Sequence, residues 1–416
     1  MKRIVCIIIT ALLLFSVTAL MAEHSGTDLK TNGQIRTRTI LHNLHENAFG
    51  KDVHDQSFID TRMRMSFISS FSKDLSATWQ VEVGDITWGV AGGSLGTDGI
   101  NVETKNLYLD WKCTVLPFKF RAGLQGWNDN RKLILGTDVA GITAKGKFND
   151  IGIELGTAKL EENSNTPDTN NDDDKDLFFL TFRYKFFNWE NIIQRSNGGD
   201  YIDAWIMPNI QKKFGPVDVN LEFVYNYGSY KEAYADAGKL KDVTNGGYGL
   251  ILNGKMKAGP VDLACDVMYT SGDDGEDPES TTYFKTVFGN YYTNGLEIFG
   301  FGPIHSVGAW TNAYNDGKGL TSLVLTGKYP LKEKLTLDFA GGYVMASEKN
   351  EATGGKVMGT EVDLGITAKP YKPMSIKAVI SYAMPGAYYK DDFNGDGKLE
   401  DADDVYKIAT KIQYNF

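Results

Sequence analysis

Cysteine and histidine are scarce in this chain, at three and five residues among 416, and apart from the first twenty-one residues it lacks any long apolar run. The missing apolar runs exclude a helical membrane protein past the N-terminus, because a spanning helix needs about 20 largely apolar residues. So few cysteines exclude a disulfide framework. Cys6 lies in the N-terminal apolar run, which leaves Cys113 and Cys265, both placed on the apolar phase of their strands and far apart in strand order. Two free thiols, lipid-facing or packed, are expected. Positive charge is not in excess either, with 43 basic against 53 acidic residues, and that argues against a nucleic-acid partner. No G-x-S-x-G, H-E-x-x-H or Gly-rich phosphate loop occurs where its context would support it. A metal site from His42, His45, His54 and His305 competes with chance placement at strand ends.

What is present begins with Lys2 and Arg3, an apolar run from Ile4 to Met21, and Ala22 before Glu23. This is the n-region, h-region and cleavage pattern of a secretory signal, so residues 1–22 are read as a cleaved signal peptide and 23–416 as one domain. Losing Lys2 and Arg3 moves the formal charge from −10 to −12. At the other end Tyr406, Ile408, Thr410, Ile412, Tyr414 and Phe416 alternate with Lys407, Ala409, Lys411, Gln413 and Asn415. Period two of this kind belongs to a strand between apolar and wet surroundings. A final aromatic on such a strand looks like the signal by which outer-membrane barrels engage their assembly machinery.

Between these ends, alternating segments recur with short and long connections in turn. Short turns are expected at 72–74, 114–117, 149–150, 188–189, 215–216, 258–260, 330–334 and 371–374. Long loops are expected near 44–57, 89–101, 128–136, 162–175, 230–246, 271–319, 347–355 and 385–404, with a tighter one at 196–200. That gives eighteen strands, or sixteen if the short segment Glu190 to Arg195 is miscounted. A soluble sandwich has no reason to sort loop lengths by end, whereas a transmembrane antiparallel β-barrel has short periplasmic turns and long extracellular loops. The sequence therefore predicts an all-β barrel in lipid, in the outer membrane of a Gram-negative bacterium.

Alternation also assigns side chains to lumen or lipid. Arg36, Arg38 and His42 share the inward phase with Asp60, Arg62 and Arg64, and Lys119, Arg121, Lys145, Lys147, Arg183, Lys185, Lys377, Lys407 and Lys411 follow it. Inward acids (Asp203, Asp218, Glu222, Asp262, Asp266, Asp338, Glu361 and Asp363) fall mostly on strands ten to sixteen. Opposed charges across a lumen make a transverse field that screens solutes. The plainer alternative is that they solvate the interior and pair locally, as Asp60, Glu82, Asp110 and Glu154 could inside the basic arc. The anion site expected is Arg36, Arg38, Arg62 and Arg64, since guanidinium forks suit carboxylates.

The stretch Ser271-Gly-Asp-Asp-Gly-Glu-Asp-Pro278, followed by Thr282, Phe284, Phe288, Tyr291 and Tyr292, resembles a loop of the alginate-export porin family. Asn106-Leu-Tyr-Leu-Asp110 and Arg121-Ala-Gly-Leu-Gln125 look like strand segments of such porins. The resemblance implies an eighteen-stranded barrel with an Arg-lined path for a polyuronate. The 271–319 connection itself is too long for an idle hairpin, and part of it is expected to fold into or over the pore.

Before the last strand, Asp392, Asn394, Asp396, Gly397, Lys398 and Asp403 match D-x-[DN]-x-[DN]-G with an acid at the twelfth position. Calcium needs hard oxygens at alternating positions of a tight turn, with Lys398 supplying a carbonyl. A solvated acidic loop is the alternative, as it is for Asp172, Asp173, Asp174 and Asp176. The expected function is passive diffusion of hydrophilic, anionic solutes such as uronate-containing saccharides. A general porin, a barrel scaffold around an electron carrier or adhesin, and a barrel enzyme are the alternatives.

Overall fold

The computed structural model describes residues 27–43, 56–90, 102–161, 174–196, 200–236, 239–288, 294–300, 302, 304, 311–391 and 397–416. The predicted signal peptide lies outside them. Strands follow in the order β1 (Asp28–His42), β2 (Gln56–Ser72), β3 (Leu75–Thr87), β4 (Glu103–Lys112), β5 (Phe118–Asn128), β6 (Gly136–Phe148), β7 (Ile151–Glu161), β8 (Lys175–Tyr184) and β9 (Phe187–Ser196). They continue with β10 (Tyr201–Phe214), β11 (Val217–Asp236), β12 (Lys239–Ala258), β13 (Val261–Thr270), the two-residue β14 (Ser280–Thr281), β15 (Thr321–Lys332), β16 (Leu335–Met345), β17 (Val357–Ala368), β18 (Met374–Pro385) and β19 (Val405–Asn415). Each wall strand pairs antiparallel with the next, β13 pairs with β15, and β19 pairs back with β1 from Gln34↔Asn415 to His42↔Lys407. The wall is thus an eighteen-stranded closed barrel, with β14 paired in parallel to β12 as an extra segment.

The alternation explains why the chain closes this way. Leu109, Leu325, Leu364, Ile380, Ile408 and Ile412 are 42–59% exposed, while their inward neighbours Val324, Val379, Lys407 and Ala409 are at most 4% exposed. Apolar outside and polar or packed inside is the inverse of a soluble protein, and only a lipid surround makes it favourable. Exposed aromatics sit toward the strand ends, such as Tyr184, Trp189, Phe214 and Tyr371 at the short-turn end and Trp88 and Tyr343 at the other. Such rings suit the headgroup layer. No described helix is long and apolar enough to cross a membrane.

The structure corrects two boundaries and one lumen assignment. The turn between β8 and β9 lies at Lys185 and Phe186 rather than 188–189, so β9 is a full ten-residue strand. Residues 230–246 are mostly not a loop: β11 and β12 continue pairing through Tyr234↔Lys241 and Asp236↔Lys239. Charged and aromatic residues there read as a loop because that part of the hairpin has left the apolar layer that enforces alternation. Lys185 is a turn residue with φ of 52°, its ammonium over the outward Tyr184 ring, and does not line the lumen. Cys113 and Cys265 are both free, Cys113 just past the end of β4 and packed with Phe120 and Ala144.

Candidate functional site: the lumen wall and its inward loops

Four strands bring the basic residues together. Across the ladders Arg36 stands opposite Arg62, Arg38 opposite Lys411, and Lys411 opposite Lys377. Like charges directly opposite on a sheet are destabilising, so this wall needs countercharges. Asp60 supplies one, accepting from Arg38 Nε at 2.9 Å and from Nη2 at 2.6 Å, and both side chains are 4% exposed. Glu82 pairs with Arg64. Asp85 supplies the third, bonded by Arg36, 3.3 Å from Arg38 and 3.9 Å from Arg62.

Asp85 escaped the sequence reading because of a β-bulge. Thr61 pairs with Ile86 and Met63 with Val83, so Gly84 and Asp85 together face Arg62, and the phase of β3 changes there. Bulges re-aim side chains in this way. Among the other predicted anion-site residues, Arg121 is held by Asp110 at 2.7 and 2.9 Å and Arg183 by Glu154 at 2.8 Å. Lys119 and Lys145 line a cavity of about 1220 Å³ with Lys30, Lys73 and Lys112 at the short-turn end. Lys411 and Lys377 border a second cavity of about 930 Å³. The basic residues are therefore divided, Arg36, Arg38, Arg62 and Arg64 lining neither of these two cavities, and Lys185 is outside the lumen.

Two loops enter the barrel, and each carries charge to the opposite sign. The β5–β6 connection is organised by Asp129, whose carboxylate accepts the backbone N–H groups of Arg131, Leu133, Ile134 and Leu135. Burial raises that carboxyl above its ordinary range, although the four N–H groups act the other way. The loop sends Arg131 to Glu222, at 3.2 Å and almost fully buried, and Asn130 to Glu190 and Glu222. The β13–β15 connection sends Lys285 to Asp203 at 3.2 Å, with the Lys285 carbonyl accepting from Trp205. The two loops join where Gly136 donates to Phe288 and where Val287 and Phe288 donate to Ile134.

Further along the same connection, Glu361 of β17 accepts the backbone N–H groups of Glu297, Ile298 and Phe299. Lys407 of β19, wholly buried, reaches Glu297 at 2.9 Å. Described parts of the long loop thus lie inside the barrel, as its length had suggested. Those contacts were beyond the sequence, since partners across a lumen follow no period. They also spend Asp203, Glu222, Glu361 and Lys407 on holding loops, so much of the expected transverse field is neutralised by contact.

The calcium motif lies largely outside the described residues, which include of it only Gly397, with φ of 82°, and the exposed Lys398 and Asp403. Among the described residues no group of three or more metal-ligating side chains occurs. Of the histidines, His42 is described, buried and edge-on to Phe58. Asp174, expected in a solvated run, is instead buried and with Asp176 grips Lys159, each at 2.9 Å.

No protein-family profile and no curated protein matches the chain. Solved structures do. A Pseudomonas aeruginosa OpdK crystallised with vanillate is similar over 94% of this chain and 98% of its own, with a TM-score of 0.56 and 10% identity. P. aeruginosa OccK8 (OprE) gives 0.57 over 94% and 98% at 10% identity. Acinetobacter baumannii OccAB1 gives 0.56 over 95% and 99% at 12% identity. The fold is accordingly that of outer-membrane porins, and these neighbours do not single out the alginate-export family.

Proposed function

We propose that this chain is a passive outer-membrane channel for small hydrophilic anions, with carboxylates, including uronate-containing saccharides, as the solute class. The observation that carries the reading is the stacking of like charge on one wall: Arg36 against Arg62 and Arg38 against Lys411, with two acids, Asp60 and Asp85, between them. A fold that only needed stability would replace one member of each pair, since apposed cations are unfavourable and buried ion pairs contribute little net stability. The Nε atoms of Arg36 and Arg62 are buried and have no hydrogen-bond partner in the chain. The reachable face of the cluster is at Asp85, whose side chain is 50% exposed where it meets Arg36. Small solutes fit better than a polymer because loops from two sides of the barrel meet inside it at Ile134 to Gly136 and Val287 to Phe288.

Planar-bilayer recording tests this. Wild type is expected to prefer chloride over potassium and to show current block by galacturonate but not by galactose, and Arg36→Gln with Arg62→Gln is expected to lose both properties. Cation preference in the wild type would remove the reading. A barrel scaffold would instead leave ion preference indifferent to these arginines.

A further inference from the structure

Asp60 and Asp85 both face arginines, yet they are built differently. Asp60 is paired side-on with Arg38 in a sealed contact, 4% exposed on each side. That pair satisfies itself and is closed to solutes. The Asp85 side chain is 50% exposed and lies at the focus of three guanidinium groups on β1 and on β2, bonded by Arg36 and within 3.3 Å of Arg38 and 3.9 Å of Arg62.

Its position depends on the bulge, which sets Gly84 and Asp85 against Arg62 alone and turns Asp85 to the inward phase. An interrupted ladder is a structural cost, and the side chain it delivers is a carboxylate in reach of solvent. A purely structural counterion would gain by forking onto one guanidinium like Asp60, because bidentate carboxylate–guanidinium pairs are the strong ones. Arg36 and Arg62 each also keep a buried Nε without a partner. Those two atoms are sealed, so what a solute can meet is the one exposed acid shared among three guanidinium groups.

We propose that Asp85 is a tethered stand-in for the solute's carboxylate: it occupies the arginine site between transport events and yields it to an incoming carboxylate, and so sets the affinity and charge selectivity of the channel. This rests on the anion-channel reading and goes beyond it by assigning the selectivity setting to one acid. The exchange is between two carboxylates for the same guanidinium groups, so the site is never left as uncompensated cations. A solute therefore binds against competition, more weakly than the arginines alone would hold it, and leaves readily. Conduction needs such weak, exchangeable binding.

The test uses full-length protein in planar bilayers with a KCl gradient and with galacturonate as probe, comparing wild type, Asp85→Asn, Asp85→Glu and the Arg36→Gln, Arg62→Gln double variant. Asp85→Asn keeps the shape and removes the competing charge. It is expected to bind galacturonate roughly tenfold more tightly and to shift the reversal potential toward chloride, a tenfold change being that of one charge-assisted hydrogen bond. Asp85→Glu keeps a carboxylate and is expected to stay within about twofold of wild type, since the charge and not the exact side chain is what competes.

If Asp85→Asn matches wild type while the double arginine variant loses its anion preference, the stand-in role is overturned and the channel reading survives. If wild type and the double arginine variant share one reversal potential and galacturonate affects no variant, the channel reading fails and takes Asp85 with it. Folding is checked by the heat-dependent gel mobility of barrels. Should Asp85→Asn fail to assemble, Asp85→Ser is the second probe, and failure of both to form barrels would make Asp85 structural and overturn the proposal.

Discussion

The two charged sides of this barrel are neutralised in different ways. On the β1–β3 side the countercharges come from the wall itself: Asp60 and Glu82 sit on strands next to the arginines they meet, and Asp85 of β3 reaches past β2 to Arg36 of β1. On the β10–β11 side they come from loops, Arg131 reaching Glu222 and Lys285 reaching Asp203. A wall that neutralises itself leaves one acid, Asp85, half exposed, while a wall neutralised by loops uses its charge as anchorage. One side is self-paired and the other a fastening, although both read in the sequence as runs of inward charge.

Breaking the anchorage is expected to have the largest effect. Lys407 belongs to the basic arc by position but to the anchorage by contact, and Lys407→Met would leave Glu297 buried without its ammonium, at about 3–5 kcal/mol. The expected outcome is release of residues 294–300, seen as larger and noisier single-channel currents; quiet, wild-type conductance would show that this pair does not hold the loop. Arg131→Met is the matching change on the other side. Asn130 and Asn209 still donate to Glu222, so a smaller loss of about 2 kcal/mol is expected, measured as a lower unfolding temperature in detergent.

Smaller effects sharpen the contrast. Arg121 and Asp110 are each more than a third exposed, and Asp110→Asn is expected to change stability by no more than about 1 kcal/mol, because water and salt screen such a pair. An unfolding temperature moved as far as by Arg131→Met would erase the distinction between the two sides. Last, calorimetric titration of calcium is expected to give heats that vanish when Asp392 and Asp396 become Asn, with barrel stability unchanged. Identical heats from both proteins would reduce the 392–403 loop to a solvated acidic turn.

How much of this was legible in the sequence follows from what repeats. The wall repeats with period two, so strand number, the phase of Arg36, Arg38, Arg62 and Arg64, and the β1–β19 seam could all be placed from sequence. Asp85 could not, because one extra residue opposite Arg62 reverses the phase and leaves no compositional mark beyond Gly84. The β8–β9 turn was missed because Lys185 and Phe186 continue the alternation of the strand they end, and positive φ at a lysine has no sequence signature. Arg131, Lys285 and Glu297 read as ordinary loop charges. Their roles depend on partners 64 to 110 positions away in the chain, as with Glu297 and Lys407, and such distances carry no periodic signal.

The seam between β1 and β19 has a consequence for fidelity of closure. Gly33 exchanges both backbone hydrogen bonds with Phe416, and a Cβ on Gly33 would come within 2.5 Å of the Phe416 ring. The terminal ring therefore fits one notch in β1 and marks a single register. A slip of one residue would turn Lys407 and Lys411 outward into hydrocarbon and Ile408 and Ile412 into water. Each lysine would cost up to about 2–4 kcal/mol there. The same lysines that colour the lumen electrostatically thus act as a proofreading device, rejecting the misaligned barrel at the moment the chain's two ends find each other.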